Sequence, residues 1–310
     1  MKSLKQNRVT KMNEYDVIII GGSYSGLAAG MALGRALRKV LIIDSHQPCN
    51  TRTLQSHNFL THDGKTPSQI ATLGRKQVKQ YETVDFVSGV VSAGRKTANR
   101  FEIETSNKEA FVAKKLIFAT GIKDLIPDIK GFSECWGISV LHCPYCHGYE
   151  VRGKETAVLG NGDSGFEFAM LISNWTSTLT LLTNGAASLT GEKRAKLEEH
   201  RIKVIEKKIT HIDHMDGHLQ CARFADAGAF HIEVLYARLP FQQHSDIPNK
   251  IGCELSDDGY IKVDSLQKTS IPGIFACGDS TSRMRTVANA VATGTTTGMM
   301  VNKEIIQEEF

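Results

Sequence analysis

Two copies of one pattern constrain this chain more than anything else in it: an apolar strand, a glycine-rich turn and a helix-forming run. The first copy reads YDVIII (residues 15–20), GGSYSG (Gly21–Gly26), LAAGMALGRALRK and VLIID (Val40–Asp44). The runs rich in β-branched residues predict buried strands, and the whole predicts a β-α-β unit. The second copy reads TAVLG (Thr156–Gly160), GNGDSG (Gly160–Gly165), FEFAMLISNW and TLTLLT. The chain therefore contains two dinucleotide-binding-like units.

At 310 residues it is too long for one ordinary domain and about right for two. A hydrophobic share of 41% and a charged share of 23% exclude a disordered chain, a collagen repeat and a coiled coil. No apolar window of about 18 residues exists, so no membrane helix is expected. The first 13 residues carry Lys2, Lys5, Arg8 and Lys11 with no apolar stretch behind them, and read as a flexible basic extension rather than a signal peptide. A net charge of +4, spread along the chain, argues against nucleic acid. Between the two units lie helix signals at Ser68–Tyr81, strands near Phe86–Val91 and Phe101–Glu104, and LIFATG (Leu116–Gly121). His200–Leu239 alternates as strands do, and Thr286–Ile306 has helical spacing with many small residues.

In GGSYSG, Gly21 and Gly26 occupy the first and last glycine positions of a G-x-G-x-x-G turn, and Ser23 stands where the middle glycine usually lets the backbone approach a pyrophosphate. The following helix N-terminus suits phosphates, and Asp44 is placed to accept hydrogen bonds from an adenosine ribose. GIFACGD ends a buried strand in Gly278–Asp279, where the acid can bind a polyol such as a ribityl chain. Together the two segments suggest FAD.

Seven cysteines are scattered except for Cys143-Pro144-Tyr145-Cys146, which is no secreted disulfide framework; a reducing cytoplasm is the expected location. Two thiols at this spacing can close a small-ring disulfide, and one can be activated as thiolate. His142 and His147 flank the pair and can carry protons during exchange. His-Cys-x-x-Cys-His also looks like zinc ligands, but structural zinc needs a second pair at suitable distance. The only other cluster, His211, His214 and His218, lies far along a polar run. Redox chemistry is preferred, and no metal is expected.

With these pieces in order (IIIGGSYSGLAAG, LIIDS, IFATG, CWGISVLHCPYCHG, VLGNGDSGFEFA, DDGYIKVD, SIPGIFACGD), the chain resembles the low-molecular-weight thioredoxin reductases of the pyridine nucleotide–disulfide oxidoreductase group, over about residues 14–305. The resemblance implies an α/β fold of two Rossmann-like, three-layer nucleotide-binding domains, the second inserted in the first. Residues 14–124 and 246–310 would bind FAD, and 125–245 would form a NAD(P)-binding-like domain carrying the C-x-x-C. Carried over by position, FAD would be held by Gly21, Gly22, Ser23, Ser25, Gly26, Asp44, Thr120, Gly121, Gly278, Asp279 and Ala288. Gly160, Gly162 and Ser164 would serve NADP or NAD. Cys146 would face the flavin and Cys143 the substrate, and the helix starting near Thr286 would aim its N-terminus at the flavin. The family is homodimeric.

Three departures bear on direction. His147 stands where the family has an acid that protonates the leaving thiolate. Leu181-Leu182-Thr183-Asn184-Gly185 has neither the basic residues that read a 2′-phosphate nor the acid of NAD users. CPYCHGYE looks like the branch that includes dithiol oxidases, which dispense with NADPH and pass electrons to oxygen. The expectation is a reductase, passing electrons from NAD(P)H through FAD and Cys143/Cys146 to a thioredoxin-like protein or a small-molecule disulfide, because most of the family runs that way. The alternative is a dithiol oxidase acting on a small dithiol. A flavin-bound sensor without turnover is a third reading, opposed by the intact cysteine pair and its flanking histidines.

Overall fold

The strand Asn13–Ile20 is buried on both faces over its last four residues, as a central parallel strand must be. The computed structural model describes residues 13–310. Of the expected N-terminal extension, residues 1–12 lie outside the described residues, and Asn13 already opens that first strand.

Contacts divide the chain into two units. One joins the chain up to Pro48 with Ala71–Ile122 and Gln243–Phe310, and the other joins Cys49–Ile70 with Lys123–Gln242. The second is thus inserted in the first, as expected, with one difference. By sequence, all of residues 14–124 belong to the first domain, yet Cys49–Ile70 goes with the insert. Its side chains find partners there: Arg52 donates to the Ser133 carbonyl, and His57 meets Glu150.

The first unit is built on a seven-stranded sheet in the order Val84–Ser88, Val40–Asp44, Asn13–Ile20, Ala110–Phe118, Phe101–Thr105, Val91–Lys96, with Ile274–Ala276 also paired to Ala110–Phe118. The pairs Val17 with Val40, Ile18 with Leu116 and Ile274 with Leu116 are parallel, whereas Phe101–Thr105 pairs antiparallel on both sides. Apolar side chains cover both faces: Ile18, Leu41 and Phe118 on one, Val17, Ile42 and Ile117 on the other. The helix Tyr24–Arg35 packs against the C-terminal helix Val287–Glu309 at very short range, because a Cβ on Gly294 would come within 2.2 Å of the Ser25 carbonyl oxygen. That close approach accounts for the small residues of the C-terminal run. The helix Pro67–Val78 opens with a reciprocal cap, Thr66 N–H to Gln69 Oε1 at 3.0 Å and Gln69 N–H to Thr66 Oγ1 at 3.2 Å.

The second unit holds a five-stranded parallel sheet in the order Lys203–Ile205, Leu179–Leu182, Thr156–Leu159, Val234–Ala237, Val140–Leu141. Beside it lies a three-stranded antiparallel sheet of Ile209–Met215, His218–Phe224 and Ala229–His231. Leu182, Ala157 and Leu235 pack with Ile212, Leu219 and Phe224, while Val158, Leu181 and Tyr236 pack with Phe168 and Ile172. The alternating run of His200–Leu239 is indeed stranded. Among the described residues, no helix is long and apolar enough to cross a membrane.

Candidate active site

In the first unit, the expected cofactor residues converge on the carboxyl ends of the parallel strands, where open α/β sheets bind ligands. Gly21 follows the first strand at φ +109° and donates its N–H to the Ile43 carbonyl at 2.8 Å. A Cβ on Gly26 would lie 1.9 Å from the Gly21 oxygen, so only glycine closes this turn. Ser23 caps the helix with extended backbone and makes no side-chain cap bond, so serine is accommodated without filling the cap. Ser25 is buried, and a Cβ on Gly278 would press on its Oγ at 2.5 Å.

Asp44 ends the strand Val40–Asp44. Its carboxylate binds the Arg75 guanidinium, the His46 ring at 3.2 Å and the His46 N–H at 3.2 Å. Neither Arg75 nor His46 was foreseen from the sequence. Thr120 and Gly121 follow the strand Ala110–Phe118, with Gly121 at φ +65°. Gly278 has φ +75° and donates to Thr293 Oγ1 at 3.1 Å, and Asp279 lies next to it in a single 3-10 turn. Ala288 lies in the first turn of the C-terminal helix, whose cap is Thr286 accepting from the Asn289 N–H at 3.1 Å.

The family resemblance implies FAD, and these residues fit it. The turn's glycines, Gly21, Gly22 and Gly26, leave no room for a Cβ, and the Thr120 hydroxyl is buried with no hydrogen-bond partner among the described residues. Buried polar groups are rarely left so, and a ligand atom would satisfy it.

In the second unit, Cys143 and Cys146 form a disulfide with Cα atoms 5.3 Å apart. Cys143 caps the single helical turn Pro144–His147, and the Cys146 N–H points to its Sγ at 3.2 Å. Proline at the first helical position fixes the turn without losing a bonded N–H. His142 stacks on Trp136 with centroids 6.0 Å apart, and the exposed Tyr145 ring meets Trp175 edge-on at 5.5 Å.

Burial pushes the His147 imidazole down from its ordinary 6.5; the charge of His57 adds to this, and that of Glu150 opposes it. His57 was not singled out from the sequence. Its Nδ1 lies 3.3 Å from Asp63 Oδ2, and its Nε2 lies 3.6 Å from Glu150 Oε1, beyond hydrogen-bond length. That Nε2 and the Tyr236 hydroxyl are both buried with no hydrogen-bond partner among the described residues. Burial pushes the Tyr236 phenol up, and the Glu150 charge adds to the shift.

The glycine turn of the second unit keeps its backbone form. Gly160 donates to the Leu182 carbonyl at 3.1 Å, and Gly162 has φ +57°. Its mouth is held by the chain itself. Asn161 Oδ1 accepts from the Gly162 N–H at 2.8 Å, the Ser188 N–H at 2.8 Å and the Ser188 hydroxyl at 3.2 Å. The Asn161 amide donates to the Ala186 carbonyl at 2.8 Å, and Ser164 Oγ donates to the Asn161 carbonyl at 3.3 Å. Thr183-Asn184-Gly185 spends its polar atoms on the fold: Thr183 Oγ1 donates to the Gly185 carbonyl at 2.6 Å, and Asn184 Oδ1 accepts from the Ile209 N–H at 2.8 Å. Two cations of the helix Gly191–Glu199, Lys193 and Arg194, are paired with Asp163 and Glu206. Glu206 also accepts the Ala187 N–H at 2.8 Å, so an acid does reach this loop, from the end of the next strand.

Residues 15–294 match the family described as pyridine nucleotide-disulphide oxidoreductase, and the chain belongs to that family. It is an enzyme of the disulfide oxidoreductase class with a thioredoxin reductase-like sequence and fold. It is 31% identical to the thioredoxin reductase tcpT of Claviceps purpurea (strain 20.1), with 96% of each chain covered, and 28% identical to the thioredoxin reductase sirT of Leptosphaeria maculans, with 93% of each covered. Among solved structures, an oxidoreductase from Agrobacterium tumefaciens superposes with a TM-score of 0.89 at 33% identity, covering 95% of this chain and 99% of the other.

Proposed function

We propose that the chain is an FAD-dependent dithiol oxidase, in which Cys143 and Cys146 take two electrons from a small dithiol and return it as a disulfide. FAD would be held by Gly21, Gly22, Ser23, Ser25, Gly26, Asp44, Thr120, Gly121, Gly278, Asp279 and Ala288. Bound there, it supplies a two-electron carrier between the cysteine pair and a terminal acceptor, oxygen in this direction. The observation that carries the direction is Asn161. Its carboxamide ties the turn at Gly162 to Ser188, where a nicotinamide nucleotide's pyrophosphate would lie.

The reductase reading, from NAD(P)H to a thioredoxin-like protein or other disulfide, is favoured by the intact glycines Gly160, Gly162 and Gly165. Anaerobic mixing of the flavin-loaded protein with NADPH, NADH and dithiothreitol separates the two. Bleaching of the flavin's visible band by dithiothreitol alone, with recovery in air, is the expected result. Fast bleaching by either nicotinamide overturns the oxidase reading in favour of the reductase.

A further inference from the structure

Oxidising a dithiol at a cysteine pair moves two protons as well as two electrons. The first thiol gives up its proton, and its sulfur bonds to one cysteine sulfur as the Cys143–Cys146 bond breaks. The other cysteine leaves as a thiolate. The second thiol then loses its proton and attacks the mixed disulfide, releasing the product disulfide and the second cysteine. The two protons leave in sequence, and each ends on a cysteine or in solvent. His147 can hold one at a time, and a second group coupled to it can pass the first on before the second thiol ionises.

We propose that His57 is the second proton-holding group of this exchange site, a positioning residue oriented by Asp63 and coupled through the Glu150 carboxylate to His147. The proposal rests on the dithiol–disulfide function above. Asp63 also accepts the Asn58 N–H at 2.7 Å, so its carboxylate is fixed before it meets the ring at 3.3 Å. That contact assigns the hydrogen to Nδ1 and leaves Nε2 towards Glu150 at 3.6 Å, buried and without a hydrogen-bond partner. A proton arriving on Nε2 turns this unmade contact into an ion pair, with a carboxylate on each side of the ring. Glu150 follows His147 by three residues and its charge acts on that ring as well, so one carboxylate bears on both imidazoles.

From the strand Val234–Ala237, the Tyr236 hydroxyl also senses Glu150, and its oxygen is buried with no hydrogen-bond partner among the described residues. Two such atoms around one acid are an unusual concentration in a folded protein. The Asp63 side chain is 65% exposed, against 15% for His57, so the array runs from solvent inward.

The test is the rate at which dithiothreitol opens the Cys143–Cys146 bond, followed by rapid acid quench, thiol alkylation and mass spectrometry across pH. The readout does not depend on flavin. His57→Gln and Glu150→Gln are compared with wild type, and circular dichroism and thermal melting confirm that each is folded. Both variants should slow opening by about tenfold at neutral pH, below the range of a full general acid–base group. Their acid-side steps should move oppositely: up in pH when His57 is removed, because a protonated ring there opposes charge on His147, and down when the anionic Glu150 is removed. A purely structural role would not split the two in this way. Rates within about twofold of wild type, or steps moving in the same direction, overturn the relay. If wild-type protein shows no opening of this bond, the dithiol–disulfide function itself fails, which is a separate result.

Discussion

Gly22 and Asp44 are in such close approach that a Cβ on the glycine would stand 2.8 Å from the carboxylate. The turn after the first strand and the acid ending the second therefore form one surface. Gly22→Val should displace Asp44 and weaken FAD binding at least about tenfold, equivalent to ~1.4 kcal/mol. Equilibrium titration of the apoprotein with FAD measures this, and unchanged affinity would remove the turn from the cofactor site.

Cys146→Ser should leave FAD content unchanged and lower dithiol turnover at least about 100-fold, because no disulfide can form to accept the electrons. Cys253→Ser is the control. Burial pushes that thiol above its ordinary 9.0, and it lies in the apolar core of the first unit, so turnover should stay within about twofold. Steady-state oxygen uptake with dithiothreitol distinguishes the two variants.

Much of this architecture is legible in the sequence because it is local. A β-branched run, a glycine turn and an Ala/Leu run state a β-α-β unit within one window, and Asp44 follows at a spacing that the helix dictates. Cys143 and Cys146 likewise announce themselves by separation alone. What the sequence conceals is long-range. Nothing around His57 signals that Cys49–Ile70 leaves the first unit to bring its imidazole to Glu150, and nothing around Asn161 signals that Ser188 will close on it. These partnerships depend on loops meeting in space, where no periodicity exists to be read. Arg75 escaped for the same reason: a helix 31 residues on delivers it to Asp44.

The lowered proton affinity of His147 makes it a neutral base at neutral pH. Burial is the main cause, His57 adds to it, and Glu150 partly offsets it. Opening of the cysteine pair by dithiothreitol should show a step on the acid side below 6.5, separate from the rise above neutral pH as the reagent's own thiols ionise. His147→Asn should lose the step and slow the reaction about 100-fold at neutral pH. A profile that keeps its acid step in this variant would assign the base elsewhere.

The C-terminal helix is fastened by a buried charge. The Lys115 ammonium, 5% exposed, binds Glu304 at 2.7 Å and the half-exposed Glu308, and Lys268 reaches the other Glu304 oxygen. Burial alone would raise the Glu304 carboxyl, but hydrogen bonds from Lys115 and Lys268 outweigh it and hold the group below its ordinary 4.5. Because the folded value is the lower one, this stabilisation is complete above 4.5 and is lost as pH falls through the folded value. Glu304→Gln removes the charge but keeps the shape, leaving Lys115 with one exposed partner. It should cost about 1.5–3 kcal/mol at neutral pH, the range for hydrogen bonds to charged groups. The loss should shrink on acidification, since the wild-type carboxyl is itself protonated there. Urea unfolding of both proteins at neutral and acid pH tests the argument, and a difference that grows towards acid would reverse its sign.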